Sequence, residues 1–388
     1  MEISTCVKYV GVNDHQVDLF EGQYKVPNGM SYNSYVILDE KIAVMDTVDG
    51  FFTEEWLNNV EQVLDGKMPD YLIIQHMEPD HSASIPAFLK KYPKTTVVST
   101  AKGFQFMEQF FPEFFAGQGL PAEQRIVAAN DGVLELGQHS LHFVYAPMVH
   151  WPEVMMTYEA TEKILFAADG FGKFGALDAE EEWADEARRY YIGIVGKYGP
   201  QVQAVLKKAA GLDIQTICSL HGPVLKENLG FYLEKYDKWS SYQPEESGVV
   251  IVYASVYGNT RNAAEYLADV LQEKGQKTVL YDLARCDKAK AVADAFRYDR
   301  LVLAGITYNG DLFPCMRSYI EGLTERNYQN RKVAIIENGT WAPMAGKLIL
   351  GMFEKSKNLI FTETKVSIKS AMNAQNKEEI GKLAQELS

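Results

Sequence analysis

The stretch His76-Met77-Glu78-Pro79-Asp80-His81 places four potential metal ligands within six residues. It follows Tyr71-Leu72-Ile73-Ile74-Gln75, an apolar, β-branched run that predicts a buried strand ending where the loop begins. Because Pro79 disfavours a helix here, we expect an extended loop with His76, Glu78 and Asp80 on one side and His81 offset. Such a group suits two adjacent metal ions better than one. The alternative is an acidic surface loop that holds two histidines by chance.

The same arrangement recurs three times further along the chain, where a strand-like run ends at a His or Asp in a Gly- or Pro-containing loop. The runs 141–146, 164–168 and 214–220 lead to His150, Asp169 and His221, respectively. Loops at one edge of a β-framework can converge on one site. The predicted ligands of a two-metal site are therefore His76, Glu78, Asp80, His81, His150, Asp169 and His221.

This ligand set consists of imidazoles and carboxylates. If one carboxylate bridges, each metal receives two imidazoles and one terminal carboxylate, which leaves positions open for a small molecule. The absence of thiolates favours iron or manganese, and zinc stays open as an alternative. Three further histidines, His15, His139 and His142, fall outside the pattern, and we expect His142 to be a strand residue.

Composition bounds the class of protein. A chain of 388 residues predicts two domains, and the net charge of −14 disfavours nucleic acid or an anionic membrane as a partner. The amino terminus has no signal-peptide pattern, and no apolar run approaches the about 18 residues of a membrane span, so a cytoplasmic location is expected. The spacing of Cys6, Cys218, Cys286 and Cys315 indicates neither a disulfide framework nor a thiolate metal site.

The polar segment 240–248 predicts an interdomain linker. Beyond it, strands alternate with helices, which indicates an α/β domain with a doubly wound parallel sheet. The predicted strands are 249–254, 277–283, 300–304, 332–336 and 359–368. The predicted helices are 261–274, 288–297, 315–325, 343–356 and a last one from about 376.

Three loops in this half follow strand ends, where open α/β sheets bind ligands. The first offers a hydroxyl- and Gly-containing turn at a helix amino terminus, which suits a phosphate. It lacks the Gly-Lys-Ser/Thr ending of a P-loop and the Gly-x-Gly-x-x-Gly dinucleotide turn. In the other two loops, Tyr308 and Trp341 can stack on a flat heterocycle, the alternative being that they pack into an interdomain surface.

The whole chain resembles the flavodiiron proteins, also called A-type flavoproteins. In that family a metallo-β-lactamase-like αββα sandwich is fused to a flavodoxin-like domain. The motif His76-x-Glu78-x-Asp80-His81, with His150, Asp169 and His221 following in order, resembles the family's diiron pattern. Hydrolytic members of the wider superfamily resemble each other in having the motif His-x-His-x-Asp-His instead. Glu78, in place of the second His, is therefore the residue that discriminates the flavodiiron pattern from the hydrolytic one. The resemblance implies a diiron domain over 1–245, a flavodoxin-like FMN-binding domain over 246–388 and the minimal two-domain form.

The resemblance also implies the roles of the ligands. His76, Glu78 and His150 would hold one iron, Asp80, His81 and His221 would hold the other, and Asp169 would bridge. His81 is the position at which the family pattern permits the imidazole to swing away from the metal.

FMN would lie against the three loops of the second half. The phosphate would be held by Ser255, Val256, Tyr257, Gly258, Asn259 and Thr260. The isoalloxazine would lie along Thr307, Tyr308, Asn309, Gly310, Asp311, Leu312 and Phe313 and along Asn338, Gly339, Thr340 and Trp341.

By resemblance the protein is a cytoplasmic oxidoreductase used in detoxification, which reduces dioxygen to water, nitric oxide to nitrous oxide, or both. The expected partners are a rubredoxin-type electron donor and a second copy of the chain in a head-to-tail homodimer or a homotetramer. The alternatives are a dizinc hydrolase that carries a flavodoxin-like module, against which Glu78 counts, and a noncatalytic redox module with a structural metal site.

Overall fold

The structure is a computed structural model that describes residues 3–117 and 119–388. The chain forms two compact units. The first comprises the residues up to Tyr190 together with Pro200–Tyr236, and the second comprises Tyr191–Gly199 and Asp237–Ser388. No helix in these described ranges combines the length and the apolar character that a bilayer crossing requires.

The first unit is an αββα sandwich in which two sheets pack face to face. Its first seven strands are β1 (Val7–Tyr9), β2 (Val12–Asp14), β3 (Leu19–Phe20), β4 (Tyr24–Lys25), β5 (Met30–Tyr32), β6 (Tyr35–Ile37) and β7 (Ala43–Met45). The next eight are β8 (Tyr71–Ile73), β9 (Thr96–Ser99), β10 (Arg125–Val127), β11 (Val133–Glu135), β12 (Ser140–Tyr145), β13 (Met155–Glu159), β14 (Ile164–Phe166) and β15 (Thr216–Cys218). The helices are α1 (Thr53–Leu64), α2 (Pro79–Ser82), α3 (Ile85–Lys91), α4 (Ala101–Phe110), α5 (Pro112–Gly117), α6 (Trp183–Tyr190), α7 (Gly199–Ala209) and α8 (Leu229–Ser240), of which α8 ends in the second unit.

One sheet has the order β1-β6-β7-β8-β9-β10 and the other β11-β12-β13-β14-β15. Buried side chains of the first, such as Ile37 and Met45, share one core with Phe143, Met155 and Phe166 of the second. In the second sheet, β12 and β14 both pair antiparallel with β13 and therefore run in the same direction, and β14 runs parallel to β15. The ends of these three strands therefore meet at one edge of the sheet.

The second unit contains a parallel, doubly wound sheet. Its strands are β16 (Glu246–Tyr253), β17 (Thr278–Asp282), β18 (Tyr298–Tyr308), β19 (Asp311–Leu312), β20 (Lys332–Asn338), β21 (Ile360–Phe361) and β22 (Val366–Ile368). Its helices are α9 (Asn259–Glu273), α10 (Lys288–Arg297), α11 (Pro314–Thr324), α12 (Ala345–Met352) and α13 (Ala374–Glu386). The order β17-β16-β18-β20-β21 places β18 between β16 and β20.

Several predicted elements differ from the observed ones. Pro79 opens the short helix α2 at its first position, so the prediction of an extended, non-helical loop at Pro79 was wrong. Proline is compatible with a first helical position because no intrahelical partner is lost there. The strand predicted over 359–368 is two short strands, β21 and β22, and the helix predicted over 343–356 is reduced to Ala345–Met352.

Candidate metal centre and flavin-binding loops

The structure brings all seven predicted ligands together in the first unit, and we call them the seven-residue cluster. They come from five places: Asp80 and His81 from α2, His76 and Glu78 from the loop before it, and His150, Asp169 and His221 from the loops after β12, β14 and β15. The ligand atoms form two groups, one of His76, Glu78, His150 and Asp169 and one of Asp80, His81 and His221.

The first group is a compact set of donor atoms. His150 Nε2 lies 3.0 Å from Glu78 Oε2 and 3.1 Å from Asp169 Oδ2, and His76 Nε2 lies 3.3 Å from both Glu78 Oε2 and His150 Nε2. Donors about 2.1 Å from one shared ion would be about 3.0 Å apart at a right angle and about 3.4 Å apart at a tetrahedral angle. The observed separations are therefore those of ligands around a single ion.

The second group has the same spacing. His81 Nε2 lies 3.1 Å from His221 Nε2 and 3.3 Å from Asp80 Oδ2, and His221 Nε2 is also 3.3 Å from Asp80 Oδ2. Asp169 turns its other oxygen, Oδ1, to within 3.2 Å of His81 Nε2. The two oxygens of Asp169 thus face different groups, as a bridging carboxylate requires.

The burial of the carboxylates is better explained by bound metal ions than by contacts within the protein. Both oxygens of Asp80 and both oxygens of Asp169 are buried without a hydrogen-bond donor from outside the cluster. Burying a carboxylate whose oxygens lack donors is costly unless a cation compensates for the lost hydration. The residues present therefore match a pair of metal ions.

The electrostatics of the cluster favour positive charge. Burial by itself raises the pKa of Asp169, but the imidazoles of His76, His150 and His81 together lower it well below its usual range. Burial likewise lowers the pKa of His150, yet Asp169 and Glu78 outweigh it and raise that pKa to about 9. A divalent cation placed between these groups would satisfy the same carboxylates.

Residues outside the predicted set orient the imidazoles. Glu153 Oε1 lies 2.7 Å from His76 Nδ1 and accepts the backbone N–H of Met77 at 3.0 Å. His221 Nδ1 lies 2.7 Å from the backbone oxygen of Ser31. Carbonyl and carboxylate acceptors of this kind leave Nε2 free to bind a metal. Glu153, three residues after His150, could have been proposed from the sequence, whereas nothing in the sequence pointed to Ser31.

Asp46, at the end of β7, fixes the start of the metal loop. Its carboxylate accepts the backbone and side-chain N–H groups of Gln75 at 2.7 Å and 2.9 Å and the backbone N–H of His76 at 3.4 Å. Burial raises the pKa of Asp46 to about 6, against the lowering effect of these hydrogen bonds. Asp46 lies outside the set of residues predicted from the sequence to form the site.

Aromatic rings surround the imidazoles. Trp151 meets His76 edge-on with ring centroids 5.2 Å apart, and Phe20 and Tyr190 each lie 5.4 Å from His221. These rings limit the access of water to the histidines and hold them in place. The remaining histidines lie elsewhere: His142 is in β12, as expected, and His15 is near Asp178 on the surface.

In the second unit, the three predicted ligand-binding loops follow neighbouring parallel strands, β16, β18 and β20. The first contains Ser255 to Gly258, and Gly258, with φ of 89°, donates its backbone N–H to Ser255 Oγ at 3.1 Å just before α9, which starts with Asn259 and Thr260. The second is a hairpin whose turn is Asn309-Gly310 and whose second strand, β19, is Asp311–Leu312. The third runs from Asn338, at the end of β20, through Gly339 and Thr340 to Trp341.

The large aromatic side chains of these loops are accessible. Tyr257 is 92% exposed, Trp341 82% and Tyr308 47%, and Val256 beside Tyr257 is also exposed. Phe313 contacts Tyr308 at 5.3 Å between ring centroids, while Leu312 is buried. Exposed aromatic rings grouped with a helix amino terminus fit a ligand that carries both a flat ring system and a phosphate.

Three predicted contact residues form hydrogen bonds within the protein. Thr307 Oγ1 accepts the backbone N–H groups of Met344 and Ala345 at 2.7 Å and 3.1 Å. Asn338 exchanges two hydrogen bonds with the backbone of Ser370, and Thr340 Oγ1 lies 2.9 Å from Ser370 Oγ. These side chains hold the loops in shape. The loop around Ser370 contacts the third predicted flavin-binding loop, and the sequence did not indicate this contact.

Comparisons with known proteins agree with both halves. Residues 30–222 match the family model of the ODP family beta lactamase, and residues 250–358 match a flavodoxin domain model. The chain is 28% identical over 355 residues to the anaerobic nitric oxide reductase flavorubredoxin of Vibrio vulnificus, which covers 88% of this chain and 70% of that protein. Among solved structures, the rubredoxin oxygen:oxidoreductase of Desulfovibrio gigas superposes with a TM-score of 0.91 at 25% identity over 100% of this chain and 97% of that one. The flavodiiron protein of Giardia intestinalis gives a TM-score of 0.92 at 26% identity over 100% of this chain and 95% of that one.

The chain belongs to the flavodiiron proteins. Its fold is a metallo-β-lactamase-like domain followed by a flavodoxin-like domain, as predicted. As a flavodiiron protein it is an oxidoreductase, with FMN and a diiron centre as its cofactors. The assignment of individual residues to each iron and to FMN stays a prediction.

Proposed function

We propose that this flavodiiron protein reduces dioxygen to water, nitric oxide to nitrous oxide, or both, at the seven-residue cluster with electrons supplied through FMN. The observation that carries the proposal is the division of the Asp169 oxygens between two groups of nitrogen and oxygen donors. Similar proteins include both a nitric oxide reductase flavorubredoxin and a rubredoxin oxygen:oxidoreductase. The two substrates therefore stand as equal candidates.

The residues of the chain would prepare the site for this reaction. Glu153 and the Ser31 carbonyl orient two imidazoles, and Asp169 spans both groups. Trp151 and Tyr190 flank the histidines and limit water around the reacting molecule. When bound, the two irons and FMN would together supply the four electrons that dioxygen needs, or the two that the coupling of nitric oxide needs.

The alternative function is that of a dizinc hydrolase with a flavodoxin-like module. Glu78 argues against it, because a carboxylate oxygen at this position suits iron better than a second imidazole would.

We predict that Glu78→His lowers the ratio of bound iron to zinc and the reductase turnover. Glu135→His on β11, an exposed position, is the matched control and should change neither quantity. Unchanged iron content and turnover in Glu78→His would contradict our account of metal selection.

Metal and flavin content of protein purified without oxygen is the first measurement. About two irons and one FMN per chain support the reductase and justify a comparison of dioxygen and nitric oxide turnover. Two zincs, with iron absent even after growth in iron-rich medium, would support the hydrolase instead.

The proposal extends to organisation and partners. A diiron domain over 1–245 and an FMN domain over 246–388 are supported by family models that end at residue 222 and begin at residue 250. A rubredoxin-type donor is supported by the rubredoxin named in both relatives. A head-to-tail homodimer, or a tetramer built from it, would let one subunit's FMN serve the other's irons. Four free cysteines are consistent with the cytoplasm, where thiols stay reduced.

A further inference from the structure

A third group of potential metal ligands lies in the first unit, outside the seven-residue cluster. Cys6, His139 and Glu162 each offer one ligand atom, and these atoms all lie within 4.8 Å of one another. We call these three residues the Cys6 cluster.

The Cys6 cluster is at the opposite end of the strands from the seven-residue cluster. His139 immediately precedes β12 and Glu162 precedes β14, whereas His150 and Asp169 follow those same strands. Cys6 precedes β1, and its backbone oxygen accepts the N–H of Leu38 at 2.9 Å. The two clusters are therefore separate sites, and the fold brings together three segments that are far apart in sequence.

The tautomer of His139 is fixed by a buried carboxylate. Asp39 Oδ2 accepts the backbone N–H of His139 at 2.7 Å and lies 2.8 Å from its Nδ1, and both side chains are only 5% exposed. Asp39 Oδ1 also accepts the backbone N–H of Glu40 at 2.8 Å, so both oxygens of this carboxylate act as acceptors and Nδ1 donates. Nε2 then carries its lone pair toward the other two ligands. This carboxylate–histidine arrangement is the one that metal sites use to orient an imidazole.

Glu162 completes the group from the other side. Its Oε1 lies 3.9 Å from His139 Nε2, beyond hydrogen-bond distance, and its Oε2 is buried without a hydrogen-bond partner. The turn that carries Glu162 is held by the buried Glu159, which accepts the backbone N–H groups of Thr161 and Glu162 at 2.8 Å and 2.7 Å. A small movement of the partly exposed Glu162 side chain would bring its oxygen to the about 3.4 Å expected between two ligands of one tetrahedral ion.

The surroundings favour a cation. The carboxylates of Glu162 and Asp39 act on the Cys6 thiol as nearby negative charges, and Lys8 is the opposing positive charge. A divalent ion would neutralise these carboxylates, and its coordination would release the thiol proton.

We propose that Cys6, His139 and Glu162 bind a divalent ion of the zinc class through one sulfur, one nitrogen and one carboxylate oxygen, with Asp39 as the positioning residue. A mixed sulfur and nitrogen set selects zinc over magnesium or calcium, and three protein ligands leave a fourth position for water. The ion would join the segment before β1 to the turns before β12 and β14.

Cobalt titration of the full-length, iron-loaded protein tests the proposal. Thiolate-bound Co²⁺ gives a sulfur-to-metal charge-transfer absorption, which the seven-residue cluster does not give because it contains no cysteine. We expect this absorption to saturate at about one equivalent of Co²⁺ and to be abolished by Zn²⁺. Cys6→Ser should remove it, and Asp39→Asn should weaken Co²⁺ binding by about 10- to 100-fold.

Two matched variants serve as controls. Cys286→Ser, at another partly buried cysteine, and His142→Gln, within β12, should both keep the absorption at full strength. If Cys6→Ser does not fold by circular dichroism, Glu162→Gln, at a partly exposed position, takes its place and should weaken Co²⁺ binding. No charge-transfer absorption in the folded wild-type protein, or the same affinity in wild type, Asp39→Asn and Glu162→Gln, would overturn the proposal.

Discussion

At the scale of the residue, His76 shows how one ligand is held by groups at both ring nitrogens. Its Nε2 faces Glu78, His150 and Asp169, while its Nδ1 faces Glu153. The side chain is fully buried, so this orientation is set entirely by protein contacts. The position of Glu153 therefore determines how well the imidazole meets a metal ion.

Glu153→Gln tests that dependence. Glutamine has nearly the same size but no negative charge. Because the charge of Glu153 orients the imidazole and increases the basicity of that ring, we expect its loss to lower the affinity for iron by about 10- to 100-fold. The measurement is anaerobic competition for Fe²⁺ against a chelator of known affinity. Glu135→Gln, at an exposed position on β11, is the control and should leave the affinity unchanged. An unaltered affinity in Glu153→Gln would show that the negative charge of Glu153 is not needed to hold iron.

At the scale of the element, α2 explains how the segment after β8 contributes to both groups of predicted metal ligands. The loop itself provides His76 and Glu78 to one group, and the helical turn from Pro79 to Ser82 redirects Asp80 and His81 to the other. An extended chain would have placed His76, Glu78 and Asp80 on the same side. The change of backbone direction at Pro79 is thus what separates the two groups.

Helix α13 gives a testable prediction at this scale. The carboxylate of Glu386 accepts the backbone N–H groups of Glu363 and Thr364, between β21 and β22, at 2.8 Å and 2.9 Å. Burial acts to raise the pKa of Glu386, but these hydrogen bonds outweigh it and lower the pKa. We expect Glu386→Gln to reduce the free energy of unfolding by about 1 kcal/mol at pH 7.

The pH dependence of this effect follows from the lowered pKa. A carboxylate with a lower pKa in the folded state stabilises the protein above its unfolded pKa, and this contribution is lost as the pH falls through the folded pKa. The difference between Glu386→Gln and wild type should therefore shrink from about pH 5 downward. Urea unfolding followed by flavin fluorescence measures it. Glu378→Gln, on the exposed face of α13, is the control and should have little effect on the free energy of unfolding at neutral or acidic pH. If the difference between Glu386→Gln and wild type did not change with pH, the stabilising role of the Glu386 carboxylate would be contradicted.

At the scale of the whole molecule, the predicted metal ligands and the predicted flavin-binding loops belong to different compact units. The proposed homodimer would pair the flavin of one subunit with the irons of the other. A two-fold interface makes both pairings equivalent. A heterodimer of two differently disabled subunits can therefore distinguish electron transfer between subunits from transfer within one.

We predict that such a heterodimer is active. Asp169→Asn removes the bridging carboxylate, and Ser255→Asp places a negative charge in the proposed phosphate loop, so each homodimer should be inactive for a different reason. The heterodimer, isolated with two affinity tags, retains one intact pairing and should show about half of the wild-type turnover. An inactive heterodimer with normal iron and FMN content in the unaltered sites would indicate that each flavin serves its own chain.

The sequence by itself determined the order of the elements and the types of ligand. Alternating and helical periodicities depend on neighbouring residues, so they identified the strand β8 and the alternation of strands and helices in the second half. For the same reason, the sequence predicted that His150, Asp169 and His221 each follow a strand.

Only the tertiary structure decided which distant groups meet. The division of the Asp169 oxygens, the Glu153 contact with His76 and the approach of Cys6 to His139 depend on how the sheets pair and pack. Side chains from separate strands come within a few ångströms only after the strands acquire their order and register. A sequence pattern reports local spacing, and it carries no information about these distances.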